Sequence, residues 1–124
     1  MSLKISEFLK GEIECEGLLE CINDLKSLDR KIYFLLLEEQ KNMSVDSIAE
    51  EIERERSTAY RSVKRLQREG LVTQQKENYE EASYRHVYSA VKAEKVAEKM
   101  EDQFQELQNQ MEDLINEFRN KYVS

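Results

Sequence analysis

No proline occurs among the 124 residues and only three positions are glycine, which removes the punctuation that turn-rich β-folds need. Sandwiches, propellers and collagen-like chains are excluded by that scarcity. A mostly helical protein is left. At this length folding buries roughly two thirds of the unfolded surface, so one modest core forms without disulfides or metal. The longest apolar run, Ile32 to Leu37, is far short of the ~20 residues that cross a bilayer. Lys4, Glu7 and Lys10 near the start, with no apolar stretch behind them, do not resemble a secretory signal. The expected location is cytoplasmic, with no membrane partner.

The formal charge is −7, but it is unevenly spread. Residues 54–68 hold Arg54, Arg56, Arg61, Lys64, Arg65 and Arg68 against Glu55 alone, and so carry five of the eight arginines. The surrounding acid opposes polyanion binding at long range, although charges more than about 8 Å apart are largely screened at physiological salt. A local basic cluster can therefore still hold phosphate. The bland alternative is a solvated helix face whose arginines pair with neighbouring glutamates.

Hydrophobic periodicity places three short helices in a row. Leu28, Ile32, Leu35 and Leu36 form the stripe of a helix over 29–39, with Ser27 as the expected cap. Ser44 caps a second, with Val45, Ile48, Ala49 and Ile52 inward. A third, over 57–69, is capped by Ser57, turns Ala59, Val63 and Leu66 inward and ends at Gly70. The period then becomes two: 71–76 and 83–88 read as the strands of a β-hairpin with a polar six-residue tip, 77–82. From Ala93 the chain returns to helix for some thirty residues. Ala93, Met100, Leu107 and Leu114 occupy heptad position a, and Ala97, Phe104, Met111 and Phe118 occupy d. So narrow a stripe buries itself against another helix, either in its own domain or, the preferred reading, in a homodimer seam built on Met100, Phe104, Leu107, Met111, Leu114 and Phe118. The N-terminal segment, broken by Gly11 and Gly17, is expected to form one or two short helices packed on that seam or on the first core helix.

The fold class is accordingly mainly α: a three-helix winged helix-turn-helix with a two-stranded wing and a long C-terminal helix. Its expected parts are a helical extension at 1–26, the winged domain at 27–91 and a coiled-coil-like dimerisation helix at 92–124. A helix that enters the major groove packs one face on its own domain and offers the other to bases and phosphates. In the third helix Ser57, Thr58, Arg61, Lys64, Arg65 and Arg68 supply that outer face, with Arg56 just ahead of them. Arg61 is best placed to reach a base, while Lys64, Arg65 and Arg68 hold the backbone. Tyr60 lies between the faces and either supports packing or touches the sugar-phosphate chain. The acidic stretch Glu77-Asn78-Tyr79-Glu80-Glu81 is unlike a basic wing, so Arg85 and His86 on the returning strand are better backbone candidates.

The residues that carry this layout also resemble a family. Asp29-Arg30-Lys31-Ile32-Tyr33-Phe34-Leu35-Leu36-Leu37, Ser47-Ile48-Ala49-Glu50-Glu51-Ile52, Ser57-Thr58-Ala59-Tyr60-Arg61-Ser62-Val63-Lys64-Arg65-Leu66 and Glu69-Gly70-Leu71-Val72 are similar to the DNA-binding domain of TrmB-like winged-helix regulators, chiefly archaeal. Tyr33 and Tyr60 match tyrosines common in that family. The resemblance covers about residues 25–92 and supports Ser57, Thr58, Tyr60, Arg61, Lys64 and Arg65 as the DNA-facing set. Larger TrmB-like proteins carry a C-terminal sugar-sensing domain. Only about thirty helical residues follow the wing here, so the expectation is a short form without sugar binding.

The leading reading is a homodimeric, sequence-specific regulator of double-stranded DNA that uses no cofactor. Phosphate-loop, nucleophile-elbow and zinc-protease motifs are absent from the sequence, so catalysis is not expected. His86 is the single histidine and has no second ligand beside it, so no metal site is expected. One rival is a winged-helix scaffold whose acidic surface or long helix binds protein. Another is a redox-responsive regulator using Cys15 and Cys21. Their spacing fits neither a redox pair nor a zinc half-site, and the ordinary expectation is two reduced thiols. The operator, the direction of regulation and any small-molecule effector are not legible.

Overall fold

The computed structural model describes residues 5–80 and 83–123. The chain divides into two compact units, one running to Ala93 and the other starting at Glu94. In the first, α1 (Ile5–Leu9), a 3-10 turn (Cys15–Gly17) and α2 (Leu18–Ile22) precede three helices, α3 (Ser27–Glu39), α4 (Val45–Ile52) and α5 (Arg56–Arg68). An antiparallel hairpin follows, β1 (Val72–Glu80) with β2 (Ser83–Ala90). The second unit is almost entirely one helix, α6 (Ala93–Tyr122). This is the winged helix-turn-helix the periodicity predicts.

The core gathers where the three stripes meet. Ile32, Tyr33 and Leu36 of α3 are buried with Val45, Ile48, Ala49 and Ile52 of α4 and Ala59, Val63 and Leu66 of α5. Leu71, Val72, Val87 and Tyr88 close it from the hairpin side. Backbone pairing locks the wing to the helices: Met43 between α3 and α4 exchanges both hydrogen bonds with Tyr88, at 2.9 and 2.8 Å. The Tyr33 hydroxyl donates to the Val91 carbonyl at 3.0 Å, and burial pushes its pKa up.

Helix ends follow backbone chemistry as much as side-chain type. Ser44 caps α4 as expected, accepting the Ser47 N–H at 3.2 Å. Ser27 and Ser57 do not cap. The caps of α3 and α5 are Lys26 and Glu55, neither through its side chain, and α5 starts at Arg56 rather than Ser57. At α3 the bond comes from the other direction, because Asp29 in the first turn accepts the Lys26 N–H at 2.9 Å. Glu53 ends α4 in the left-handed region (φ 55°), where no Gly signals the stop, and Gly70 follows α5 at φ 80°.

The hairpin corrects a second expectation. The ladder continues through Lys76↔His86, Glu77↔Arg85 and Asn78↔Tyr84 to Glu80↔Ser83, with a bulge between Asn78 and Glu80. The predicted six-residue tip is therefore mostly strand, and only positions 81–82, which include Glu81 of the acidic stretch, lie outside the described residues. Backbone ladders pair whatever the side chain's polarity, and here Arg85 and Glu77 add a cross-strand ion pair at 2.9 Å.

In the N-terminal segment, Leu19 and Leu25 are buried and Arg30 of α3 pairs with Glu20 of α2 at 3.2 Å, so this part packs on the first core helix. By contrast α1 buries no residue. Along α6, Phe104, Leu107, Met111, Leu114 and Phe118 are exposed, with Met100 half-buried.

Candidate nucleic-acid interface

Each residue of an α-helix turns about 100° from the last. On α5 this puts Ala59, Ser62, Val63 and Leu66 on one side, all buried. Ser57, Arg61 and Arg68 lie on the opposite side and are exposed. Arg61 and Arg68 take part in no ion pair or hydrogen bond among the described side chains. Beyond Arg56 in the first turn, Lys64 and Arg65 lie on the helix flanks, and both are engaged. Lys64 donates to Gln74 of β1 at 2.8 Å and to Gln67 at 3.1 Å, and sits over the rings of Tyr60 and Tyr88 at 5.4 and 5.5 Å.

Arg65 differs most from its expected part as an outward, backbone-holding cation. Its side chain is 21 % exposed, and Nε and Nη2 both donate to the Asp29 carboxylate at 2.9 Å. Asp29, with no exposed surface, also accepts from the Ser62 hydroxyl and the Lys26 N–H. Burial alone would raise the Asp29 pKa. The hydrogen bonds from Arg65, Ser62 and Lys26, with the guanidinium charge, outweigh it and hold the carboxyl below its usual range. The same bonds push the Arg65 pKa upward. Asp29 was not singled out from the sequence. The available signal was an acid in the first turn of a helix, and nothing local tells that its partners lie 33 and 36 positions away.

Beside the start of α5 a groove is lined by Ser44, Asp46, Ser47, Glu50, Arg56, Tyr60, Arg85, His86 and Tyr88. It gathers four of the sequence-predicted residues, Arg56, Tyr60, Arg85 and His86. Both arginines are paired with acids, Arg56 with Asp46 at 2.9 Å and Arg85 with Glu77. Both pairs are solvent-exposed, so each is held only weakly. The Gln74 amide Nε2 donates to His86 Nδ1 at 2.7 Å, and the imidazole stands edge-on to Tyr84. Thr58 is half-buried in the first turn of α5. Cys15 and Cys21 are both exposed and free. A hydrogen bond to Glu16 and that carboxylate's charge raise the Cys15 pKa, and partial desolvation by its neighbours raises that of Cys21. Both shifts lower the thiolate fraction that redox chemistry needs.

Three helices, a basic outward ridge on the third and a wing locked to the core define a winged helix-turn-helix DNA-binding module. Residues 19–94 match the family described as "Sugar-specific transcriptional regulator TrmB", and the chain belongs to that family. It is therefore a DNA-binding transcriptional regulator rather than an enzyme. Two uncharacterized proteins of Methanocaldococcus jannaschii are similar: one is 31% identical over 102 residues, covering 82% of this chain and 76% of that protein. The other is 34% identical over 87 residues, covering 70% and 71%. Among solved structures, a possible transcriptional regulator from Methanosarcina mazei superposes with a TM-score of 0.76 at 18% identity, covering 85% of this chain and 88% of that one. A protein of Sulfolobus tokodaii superposes at 0.64 with 16% identity, covering 85% and 98%. These two share the fold. No helix among the described residues is long and apolar enough to cross a membrane.

Proposed function

We propose that the protein is a homodimeric, sequence-specific regulator that lays α5 in the major groove of double-stranded DNA and dimerises through α6. The observation that carries this reading is the pair Arg61 and Arg68, exposed and without an acid partner among the described residues, on the ridge opposite a fully buried face. Arg61, one turn into the helix, takes the base-reading role, since bidentate Arg to guanine is the commonest specific contact. Arg68, Lys64, Ser57, Thr58 and Tyr60 hold the phosphate backbone along the same ridge. Arg56 and Arg85 reach phosphate from the adjoining groove. The seam Met100, Phe104, Leu107, Met111, Leu114 and Phe118 joins two copies, and the two α5 helices then address half-sites about 34–36 Å apart or a multiple of that. In this reading residues 1–26 are a supporting extension, 27–91 the DNA-binding domain and 92–124 the dimerisation helix.

Selection of bound genomic fragments at two ionic strengths tests it. The expected outcome is enrichment of one roughly two-fold symmetric motif, with affinity falling at a log–log slope of about −0.9 per phosphate neutralised. Recovery of random fragments, or of none at either salt, would refute it.

A further inference from the structure

The buried face of α5 is built from small and medium side chains, Ala59, Val63 and Leu66. Apolar contact is non-directional, so it sets how far α5 stands from the core but only loosely how it is rotated. Rotation matters to reading. Turning a helix by 20° about its axis moves a side-chain tip at a radius of about 6 Å by roughly 2 Å, whereas productive contacts demand placement within about 0.5 Å. Directional bonds on the flanks are what can supply that accuracy. On one flank the polar tie is an exposed-edge lysine held by Gln67 and Gln74. On the other it is Asp29, wholly buried in the first turn of α3, whose carboxylate receives the Lys26 N–H, the Ser62 hydroxyl and two bonds from the fork of Arg65.

We infer that Asp29, Ser62 and Arg65 form a specificity-determining positioning site, which fixes the rotation of α5 so that Arg61 meets base edges, and that Arg65 acts through Asp29 rather than on phosphate. The inference rests on the proposed DNA-reading role of α5. A buried ion pair is poor evidence for stability, but a bidentate guanidinium–carboxylate pair with a third and fourth donor has one geometry. Four bonds converge on two oxygens, three of them from two positions about one turn apart on α5, and together they oppose rolling of that helix.

The test compares the wild type, Asp29→Asn, the double variant Asp29→Asn/Arg65→Gln and Ser62→Ala. Each is titrated with a duplex recovered by genomic selection and with a scrambled duplex of equal length, over a range of salt. The wild-type curves report on DNA reading itself: salt-insensitive or absent binding there overturns that reading and this inference with it. Given wild-type binding, the positioning site predicts a roughly tenfold fall in the ratio of specific to scrambled affinity for Asp29→Asn and for the double variant. Affinity for the scrambled duplex and the salt slope stay unchanged. A slope shallower by about 0.9 in the double variant, with both affinities falling together, would make Arg65 a phosphate contact and overturn the inference. An unchanged ratio in a folded variant would also overturn it. Ser62→Ala removes one donor and leaves the ion pair, so it decides the matter if the other variants do not fold: the ratio falls by a smaller factor, or the inference is wrong.

Discussion

At the scale of single residues, the most consequential side chain is an acid hidden from solvent. Asp29 ionises below the usual carboxylate range because the donors around it outweigh the cost of burial. A group whose folded pKa is depressed contributes stability above its unfolded value, about 3.9 for Asp, and that contribution disappears as the pH falls through the folded value. Acid unfolding of the wild type below about pH 4 should therefore be steeper than that of Asp29→Asn, by at most about 1.4 kcal/mol per pH unit. Chemical denaturation at a series of pH values measures this, and parallel curves would show that the carboxylate is not held in its charged form. This residue was also the least legible in the sequence. The wheel of α5 puts Arg65 on a flank, between the clearly inward Ala59 and Val63 and the clearly outward Arg61 and Arg68. Flank positions take their role from a neighbouring element. The neighbour here is α3, far away in the chain, so a cation read as facing solvent turns out to face a carboxylate.

Among the elements, those with strong periodicity were legible, while their ends were legible only in part: Ser44 caps α4 and Gly70 follows α5 as expected. Ile32 and Leu36, Val45, Ile48, Ala49 and Ile52, and Ala59, Val63 and Leu66 repeat at helical spacing because one face must be buried, and each is buried in the fold. Residue type marks Ser27 and Ser57 as caps, yet at the start of α3 it is the Asp29 side chain that accepts the Lys26 N–H. The hairpin ran longer than its apolar pattern because ladder bonds involve only main-chain groups. For α6 the heptad spacing marks an apolar stripe, and what covers it is a separate question. Of the large apolar side chains exposed on that helix, Phe104, Leu107, Met111, Leu114 and Phe118 lie on the heptad stripe, and an exposed stripe of this kind suits an interaction surface. With a second copy as the partner, Leu107→Glu combined with Leu114→Glu should convert the protein to a monomer in sedimentation. Affinity for a two-half-site duplex should fall by about 100-fold or more as the two reading helices are uncoupled, while far-ultraviolet dichroism keeps the winged unit's signal. A dimer that survives both glutamates would assign the seam to something else.

For the whole molecule, the question is how a chain of charge −7 binds a polyanion. The acid is spread over the segments before and after α5, while the basic stretch presents Arg61 and Arg68 on one exposed ridge, with Arg56 and Arg85 in the neighbouring groove. Because screening confines charge effects to about 8 Å at physiological salt, the local sign governs contact and the global sign governs approach. Low non-specific affinity with retained specific affinity is the expected consequence, which makes discrimination depend heavily on what the ridge reads. That dependence is tested most directly by titrating wild type and Arg61→Ala against a selected duplex and its single-base variants. The account predicts a loss of about 1–3 kcal/mol for Arg61→Ala, with preference relaxed at one base position and retained at the others. Superimposable curves for the two proteins across the whole panel would contradict it.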